Sequence, residues 1–240
     1  MTKTAVLYVF HEINDRVQHF VRSCTFESPD VDFYIIANSL NIKFELPSHI
    51  KTMNRANVGY DFGGWSECLF TDNMYKNYDN FIFANSSIIG PFLREGRWTD
   101  VYINGLKDNV KLFGSTINTM NEPLEKAHVQ SYIFSMDRES LEYLMRCDIF
   151  SITNYAGSYA DAITKKEILM SIKIIENGWN IGCLMKYYEN IDFTFKTKPI
   201  EDHIKPFIGD IMYIEYLGKI WKDEYELVFI KGNRINVTII

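Results

Sequence analysis

Thr4-Ala5-Val6-Leu7-Tyr8-Val9-Phe10 opens the chain with seven residues almost devoid of charge-bearing or turn-forming side chains. A continuous apolar run of this length, rich in β-branched and aromatic residues, suits a strand buried on both faces, as in a parallel sheet. It also resembles a signal-peptide core. It is too short for one, has no small-residue cleavage site and runs into His11-Glu12, so a first strand is the better reading. Asn14-Asp15 can cap a following helix that carries Val17, Phe20 and Val21. Val31-Asp32-Phe33-Tyr34-Ile35-Ile36-Ala37 is a second strand, and residues 49–53 a short third. A helix with Trp65, Cys68 and Leu69 on one face comes next, then the strand Phe81-Ile82-Phe83-Ala84. Strands alternating with helices predict an α/β fold: a Rossmann-type, mostly parallel sheet with helices on both faces.

The second half is more mixed. Residues 110–115 and 129–134 read as strands, Arg138 to Cys147 as an amphipathic helix and residues 225–231 as a strand. Thr164 to Asn177 is the clearest helix. Thr164-Lys165-Lys166-Glu167 fits a capping box, Ile168, Ile172 and Ile175 recur at helical spacing, and Gly178 fits the stop. No repeat, low-complexity tract or linker divides the chain. The expectation is one domain over 1–240, with about 1–95 as a nucleotide-binding half and about 96–240 as an acceptor-side half.

At 240 residues a sizeable core needs no staple, since roughly 70–75% of the unfolded surface can be buried at this length. The net charge of −6, with no run of Lys or Arg, argues against nucleic acid as the partner. Cys24, Cys68, Cys147 and Cys183 form no CxxC pair and have no zinc spacing, so reduced thiols and a cytoplasmic location are expected. No apolar stretch reaches the 18 residues or so of a membrane span.

In open parallel sheets, ligands bind beyond the carboxyl ends of the strands. Asn57-Val58-Gly59-Tyr60-Asp61-Phe62-Gly63-Gly64 lies at a loop-to-helix junction, where glycines admit a ligand and helix N–H groups face an anion. The same residues also suit a tight turn with Asp61 as N-cap. Asn85-Ser86-Ser87 follows an apolar strand and can hold a phosphate, a sugar hydroxyl or a metal-bound water, or form a simple turn. Glu167 is a carboxylate able to act as a general base, or only to complete the capping box. His128 and Gln130, two apart on a strand, share a face and can point into one pocket, with Ser131 beside them. His203, near Glu201 and Asp202, is a further possible metal ligand.

Taken together, six segments in order resemble a family. They are Asn57-x-Gly59-Tyr60-Asp61-Phe62-Gly63-Gly64-Trp65, Phe83-Ala84-Asn85-Ser86-Ser87-x-x-Gly90-Pro91-Phe92, Lys111-Leu112-x-Gly114-Ser115, His128-Val129-Gln130-Ser131, Glu167-x-x-x-Ser171 with Gly178, and Tyr225-Glu226-x-x-Phe229-x-Lys231-x-Asn233-Arg234. Spread over about residues 5–235, they are similar to bacterial, viral and fungal glycosyltransferases related to the rhamnan-synthesis type. The resemblance implies a GT-A fold, a nucleotide-sugar donor (UDP-, GDP- or dTDP-linked) and a glycan or glycolipid acceptor. It puts Asn38, Asn57, Gly59, Tyr60, Asp61 and Gly63 near the nucleotide, and Asn85, Ser86 and Ser87 near the diphosphate or donor sugar. His128, Gln130 and Ser131 then fall on the acceptor side, with Glu167 as the base of an inverting transfer. GT-A enzymes usually carry Asp-x-Asp for Mn²⁺ or Mg²⁺ where this chain has Asn85-Ser86-Ser87. With no carboxylate in that place, the diphosphate is left to backbone N–H groups, to Lys231 and Arg234, or to a metal bound elsewhere. Two rival readings are a nucleotidyltransferase, which the residues after the first strand do not suit, and a non-catalytic nucleotide- or glycan-binding domain of the same fold.

Overall fold

The apolar run at the start does form a strand, β1 (Thr4–Phe10), every residue of which is buried. The computed structural model describes residues 2–43, 46–120, 122–202 and 207–235; His203 lies outside them. The Asn14 side chain accepts from the Val17 N–H and caps α1 (Asp15–His19), which continues as a π-helical turn over Phe20–Cys24. After it come β2 (Val31–Ala37), β3 (Ile50–Asn54), α2 (Tyr60–Phe70), β4 (Asn80–Asn85), β5 (Ile88–Ile89), α3 (Trp98–Asn104) and β6 (Val110–Gly114). The chain proceeds through β7 (Ile117–Asn118), α4 (Pro123–Lys126), β8 (His128–Val129), β9 (Ile133–Asp137) and α5 (Arg138–Arg146). It finishes with α6 (Tyr159–Asp161), a π-helical stretch over Ala162–Ile168, α7 (Leu169–Glu176), β10 (Asn180–Cys183), α8 (Glu224–Leu227) and β11 (Ile230–Lys231).

The main sheet has the order β10-β6-β9-β4-β1-β2-β3. Only β9 runs against its neighbours. The α/β, mostly parallel, Rossmann-type and GT-A-like architecture expected from the strand–helix alternation is therefore present. Helices cover both faces. On one, Trp65 of α2 packs edge-on against Phe83 and Phe134, and its indole N–H donates to the Leu7 carbonyl at 3.1 Å. On the other, Phe20 stacks on Tyr8 at 3.9 Å, and Trp98 of α3 meets Phe20 and Phe33. Successive strand residues point to opposite faces, so Leu7 and Tyr8 serve different layers.

Three expectations about the second half need correction. The run 129–134 is not one strand. Val129 pairs with Ile117 in the small β7–β8 hairpin, and the chain turns at Ser131 before β9 begins. The stretch 225–231 starts as a helical turn, because the Asp223 side chain accepts from the Glu226 N–H; only Ile230–Lys231 is strand, antiparallel to β5. The capping box at Thr164 does not form. The helix begins a turn and a half earlier, where Ser158 accepts from the Asp161 N–H, and the Thr164 hydroxyl donates back to the Ala160 carbonyl. Glu167 is thus inside the helix, with its carboxylate free of capping duty. The buried stripe of that helix runs through Ile168, Met170, Ser171 and Ile174, while Ile172 and Ile175 are only half-buried.

Candidate functional site

The parallel strands deliver their polar followers to one edge of the sheet. Asn38 comes directly after β2, Arg55 after β3 and Asn85 at the end of β4. Because β9 is antiparallel, its beginning lies at this same edge, and the Asn85 N–H donates to the Tyr132 carbonyl at 3.1 Å.

Arg55, which lies outside the sequence motifs, organises the loop that leads into α2. It is 4% exposed. Its Nη1 donates to Asn38 Oδ1 at 2.6 Å, and its Nη2 to the Val58 carbonyl at 2.7 Å and Glu67 Oε1 at 2.6 Å. Asn38 passes the link on by donating to the Tyr60 carbonyl. Asn38, Gly59 and Gly63 are therefore buried, while Asn57 and Tyr60 face solvent. Gly59 occupies the N-cap position of α2 in the left-handed region, φ 76°, where a Cβ would stand 2.6 Å from the Tyr155 ring. At Gly63 a Cβ would lie 2.0 Å from the Val58 carbonyl oxygen. The loop closes this tightly onto the helix only because both residues lack one.

Asp61 is not the N-cap. It sits in the first turn of α2 and accepts a hydrogen bond from Asn85 Nδ2 at 2.9 Å. Asn85 Oδ1 in turn accepts from the Ser87 N–H and hydroxyl, which fixes the 85–87 turn. Burial pushes the Asp61 carboxyl from its ordinary 3.8 to about 6; the Asn85 bond pulls it down and the charge of Glu167 raises it further. A raised folded-state pKa stabilises the fold below the unfolded value, and that stability is lost as pH rises through about 6. Asp61→Asn removes the titration. Urea unfolding from pH 4 to 7.5 is expected to show wild type losing on the order of 2 kcal/mol relative to this variant across that interval. Parallel curves would rule out a buried, protonatable Asp61.

Glu167 closes the other side. Its Oε2 accepts from Ser131 Oγ at 2.9 Å and its Oε1 from the Ser131 N–H at 3.3 Å. The turn that interrupts the expected strand is what aims that N–H out of the ladder. His128 Nε2 lies 3.8 Å from Glu167 Oε1, and His128 Nδ1 is 2.6 Å from the Lys126 carbonyl, so His128 and Ser131 both meet this carboxylate. Gln130 goes elsewhere: it accepts from the Thr116 hydroxyl and donates to Asp210 Oδ1 at 3.2 Å. His128 and Gln130 do not converge on one partner. Lys166, the neighbour of Glu167, is buried and donates to the Asp148 and Asn154 carbonyls. The π-helical turn carrying both residues is an irregularity of the kind frequent at functional sites.

Arg234 pairs with Asp210 and stacks its guanidinium 5.0 Å from the Tyr213 ring. Burial opposes ionisation of Asp210, but the Arg234 bond and the Met212 N–H outweigh it and hold the carboxyl below its ordinary value. Tyr60 and Tyr159, edge to face at 6.3 Å, are both exposed. No spacing in the sequence marks Tyr159, Asp210 or Tyr213: Tyr159 opens α6, and the other two lie in the long segment between β10 and α8.

A metal at the Asp-x-Asp place would need anionic oxygen ligands. Asn85-Ser86-Ser87 supplies none. Asn85 Oδ1 is engaged by Ser87, and the carboxylate bonded to the turn is that of Asp61. The 85–87 turn by itself does not fit Mg²⁺ or Mn²⁺. Among the described residues no three His, Cys, Asp or Glu side chains gather into a ligand group.

A Rossmann-type, GT-A-like sheet with a carboxylate-bearing polar cluster beyond its strand ends defines the class. The family model of rhamnan synthesis protein F matches residues 33–213, and the chain belongs to that family. The family implies a glycosyltransferase-type role in rhamnan synthesis, with a sugar donor and a glycan acceptor. None of the curated proteins matches the chain. Among the described residues no helix is long and apolar enough to cross a membrane.

Proposed function

We propose that this chain is an inverting glycosyltransferase that moves a hexosyl or deoxyhexosyl group from a nucleoside-diphosphate donor to a glycan or glycolipid acceptor. The observation that carries the reading is the placement of Glu167. Its carboxylate, freed from helix capping and held by Ser131, lies near enough to the Asp61–Asn85–Ser87 network for its charge to act on Asp61. Asn38, Asn57, Gly59, Tyr60, Asp61 and Gly63 line the nucleotide end. Asn85, Ser86 and Ser87 face the diphosphate or donor sugar. His128 and Ser131 orient Glu167 towards the acceptor, and Gln130 supports that side through Thr116 and Asp210.

In the transfer, Glu167 takes the proton of the acceptor hydroxyl as its oxygen attacks the anomeric carbon. The new C–O bond forms opposite the old one, and the nucleoside diphosphate leaves with the bonding electron pair. The Ser131 N–H and O–H hold the base in place, so less reorganisation is required at the moment of attack. All four cysteines are free, which favours a reducing compartment and, in our reading, the cytoplasm.

A thermal-shift screen against UDP, GDP, dTDP, CDP and their sugars, with and without Mn²⁺ or Mg²⁺, tests the donor site. A ligand at about one hundred times its Kd stabilises the fold by about 2.7 kcal/mol. For a chain of this size that is a rise of roughly 5–10 °C. One nucleotide is expected to stand out. If none does, the transferase reading fails and a non-catalytic glycan-binding domain takes its place.

A further inference from the structure

We propose that Lys231 is the cation that receives the donor's diphosphate, with Arg16 as a second positive group across the same turn. This inference rests on the donor reading above. It starts from the tail of the chain. Lys231 pairs with Ile88 in the β11–β5 ladder, and the following Gly232 N–H donates to the Ser87 carbonyl at 2.8 Å. Residue 231 is thereby stitched to the strand that leaves the Asn85-Ser86-Ser87 turn, which closes the end of β4. The Lys231 ammonium lies 5.5 Å from the centre of the Tyr132 ring, and the carbonyl of Tyr132 receives the Asn85 N–H. These two ties, one along each side of the turn, hold residue 231 beside the turn that stands where the resemblance places a metal.

Apart from the Tyr132 ring, the surroundings give the charge no direct partner among the described residues. Among the described residues Lys231 has no hydrogen-bond acceptor and no ion pair, although it is partly buried; Glu167 and Asp210 attract it from beyond ion-pair distance and Arg234 repels it. Burial pulls its pKa below the ordinary lysine value. Arg234, the other cation of the tail, is already neutralised by Asp210. Arg16 donates from Nε to the Ser86 carbonyl at 2.8 Å, and its Cδ lies where a Cβ on Gly232 would come within 3.2 Å. Its terminal nitrogens have no partner among the described residues. The turn is thus flanked by two cations, and the carboxylate that touches it, Asp61, bonds Asn85 and neither of them. A partly desolvated, unpaired ammonium costs stability unless an anion completes it. A diphosphate carries the charge and the acceptor oxygens to do so, and its neutralisation as it leaves requires no metal.

The test uses isothermal calorimetry in EDTA with the best-binding of UDP, GDP, dTDP and CDP and with its monophosphate. Wild type is expected to bind the diphosphate at least about tenfold more tightly than the monophosphate, a preference worth about 1.4 kcal/mol. Lys231→Met is expected to erase that preference, to leave the monophosphate Kd within about twofold, and to melt at or above the wild-type temperature. A lysine with a purely structural role would lower the melting temperature instead. Lys231→Gln repeats the measurement in a polar background, and Lys231→Arg is expected to retain the preference. Preference kept in both Lys231→Met and Lys231→Gln, or lost from wild type in EDTA, overturns the assignment to Lys231 while the donor reading stands. No binding of any nucleotide by wild type overturns both.

Discussion

Replacing Glu167 with glutamine is expected to slow transfer by about 10²–10⁴-fold, the usual loss when a positioned general base is removed. Glutamine preserves shape, and its side-chain carbonyl can still accept from Ser131, so the helix and the turn at 131 are expected to survive. What disappears is the ability to take a proton. Glutamine also removes a negative charge that acts on both Asp61 and Lys231. Binding of the donor nucleotide is therefore expected to stay within about twofold or to tighten, while kcat falls. Turnover of the donor selected in the thermal screen, measured beside its Kd, checks this. A variant that keeps kcat within threefold of wild type would remove Glu167 from the chemistry and leave it a structural partner of Ser131.

Arg55→Ala carries the largest expected cost in stability. The guanidinium is buried, and its removal strands three acceptors at once: Asn38 Oδ1, the Val58 carbonyl and Glu67. Breaking a buried charged network by removing one partner costs about 3–5 kcal/mol. Glu67 is about a third exposed and keeps the Tyr155 hydroxyl, so the lower end applies. The melting temperature is expected to fall by roughly 6–12 °C. The effect has a pH signature. The Arg55 hydrogen bond is the main reason that the Glu67 carboxyl is held below its ordinary value. Its contribution is complete above the ordinary carboxylate range and fades as pH falls through and below it. The gap between wild type and Arg55→Ala should thus narrow in acid. Nucleotide binding is expected to weaken as well, because Asn38 and the Val58 carbonyl hold the loop that carries Asn57, Gly59 and Asp61. A drop under about 2 °C, unchanged by pH, would mean that the loop holds itself without Arg55.

These residues divide cleanly by what a sequence can reveal. Residues 4–10 and 31–37 are strands over their expected bounds, since a local run of apolar side chains determines burial on both faces without help from elsewhere. The same holds for the Asn14 cap and for the arrival of Asn85 at a strand end. These depend on periodicity and on short-range hydrogen bonding, which neighbouring residues encode. The glycines at 59 and 63 were visible as a loop-to-helix junction. That they allow a close approach to Tyr155 and to the Val58 carbonyl became clear only in the fold.

Tertiary contacts decided the rest. Thr164 and Glu167 have the spacing of a capping box, yet a local bond at Ser158 caps the helix, and the fold brings Glu167 to Ser131, 36 residues away. The run 129–134 has the β-branched and aromatic residues of one strand. It breaks because Val129 pairs with Ile117 while Ile133 pairs with Ala84, and one straight segment cannot satisfy both. Arg55, Asp210 and Lys231 take their importance from partners that are distant along the chain. Amino-acid order determined the elements whose pattern is local, such as the strands 4–10 and 31–37. Which polar groups meet was decided by the sheet order, which brings residues far apart in sequence to one edge.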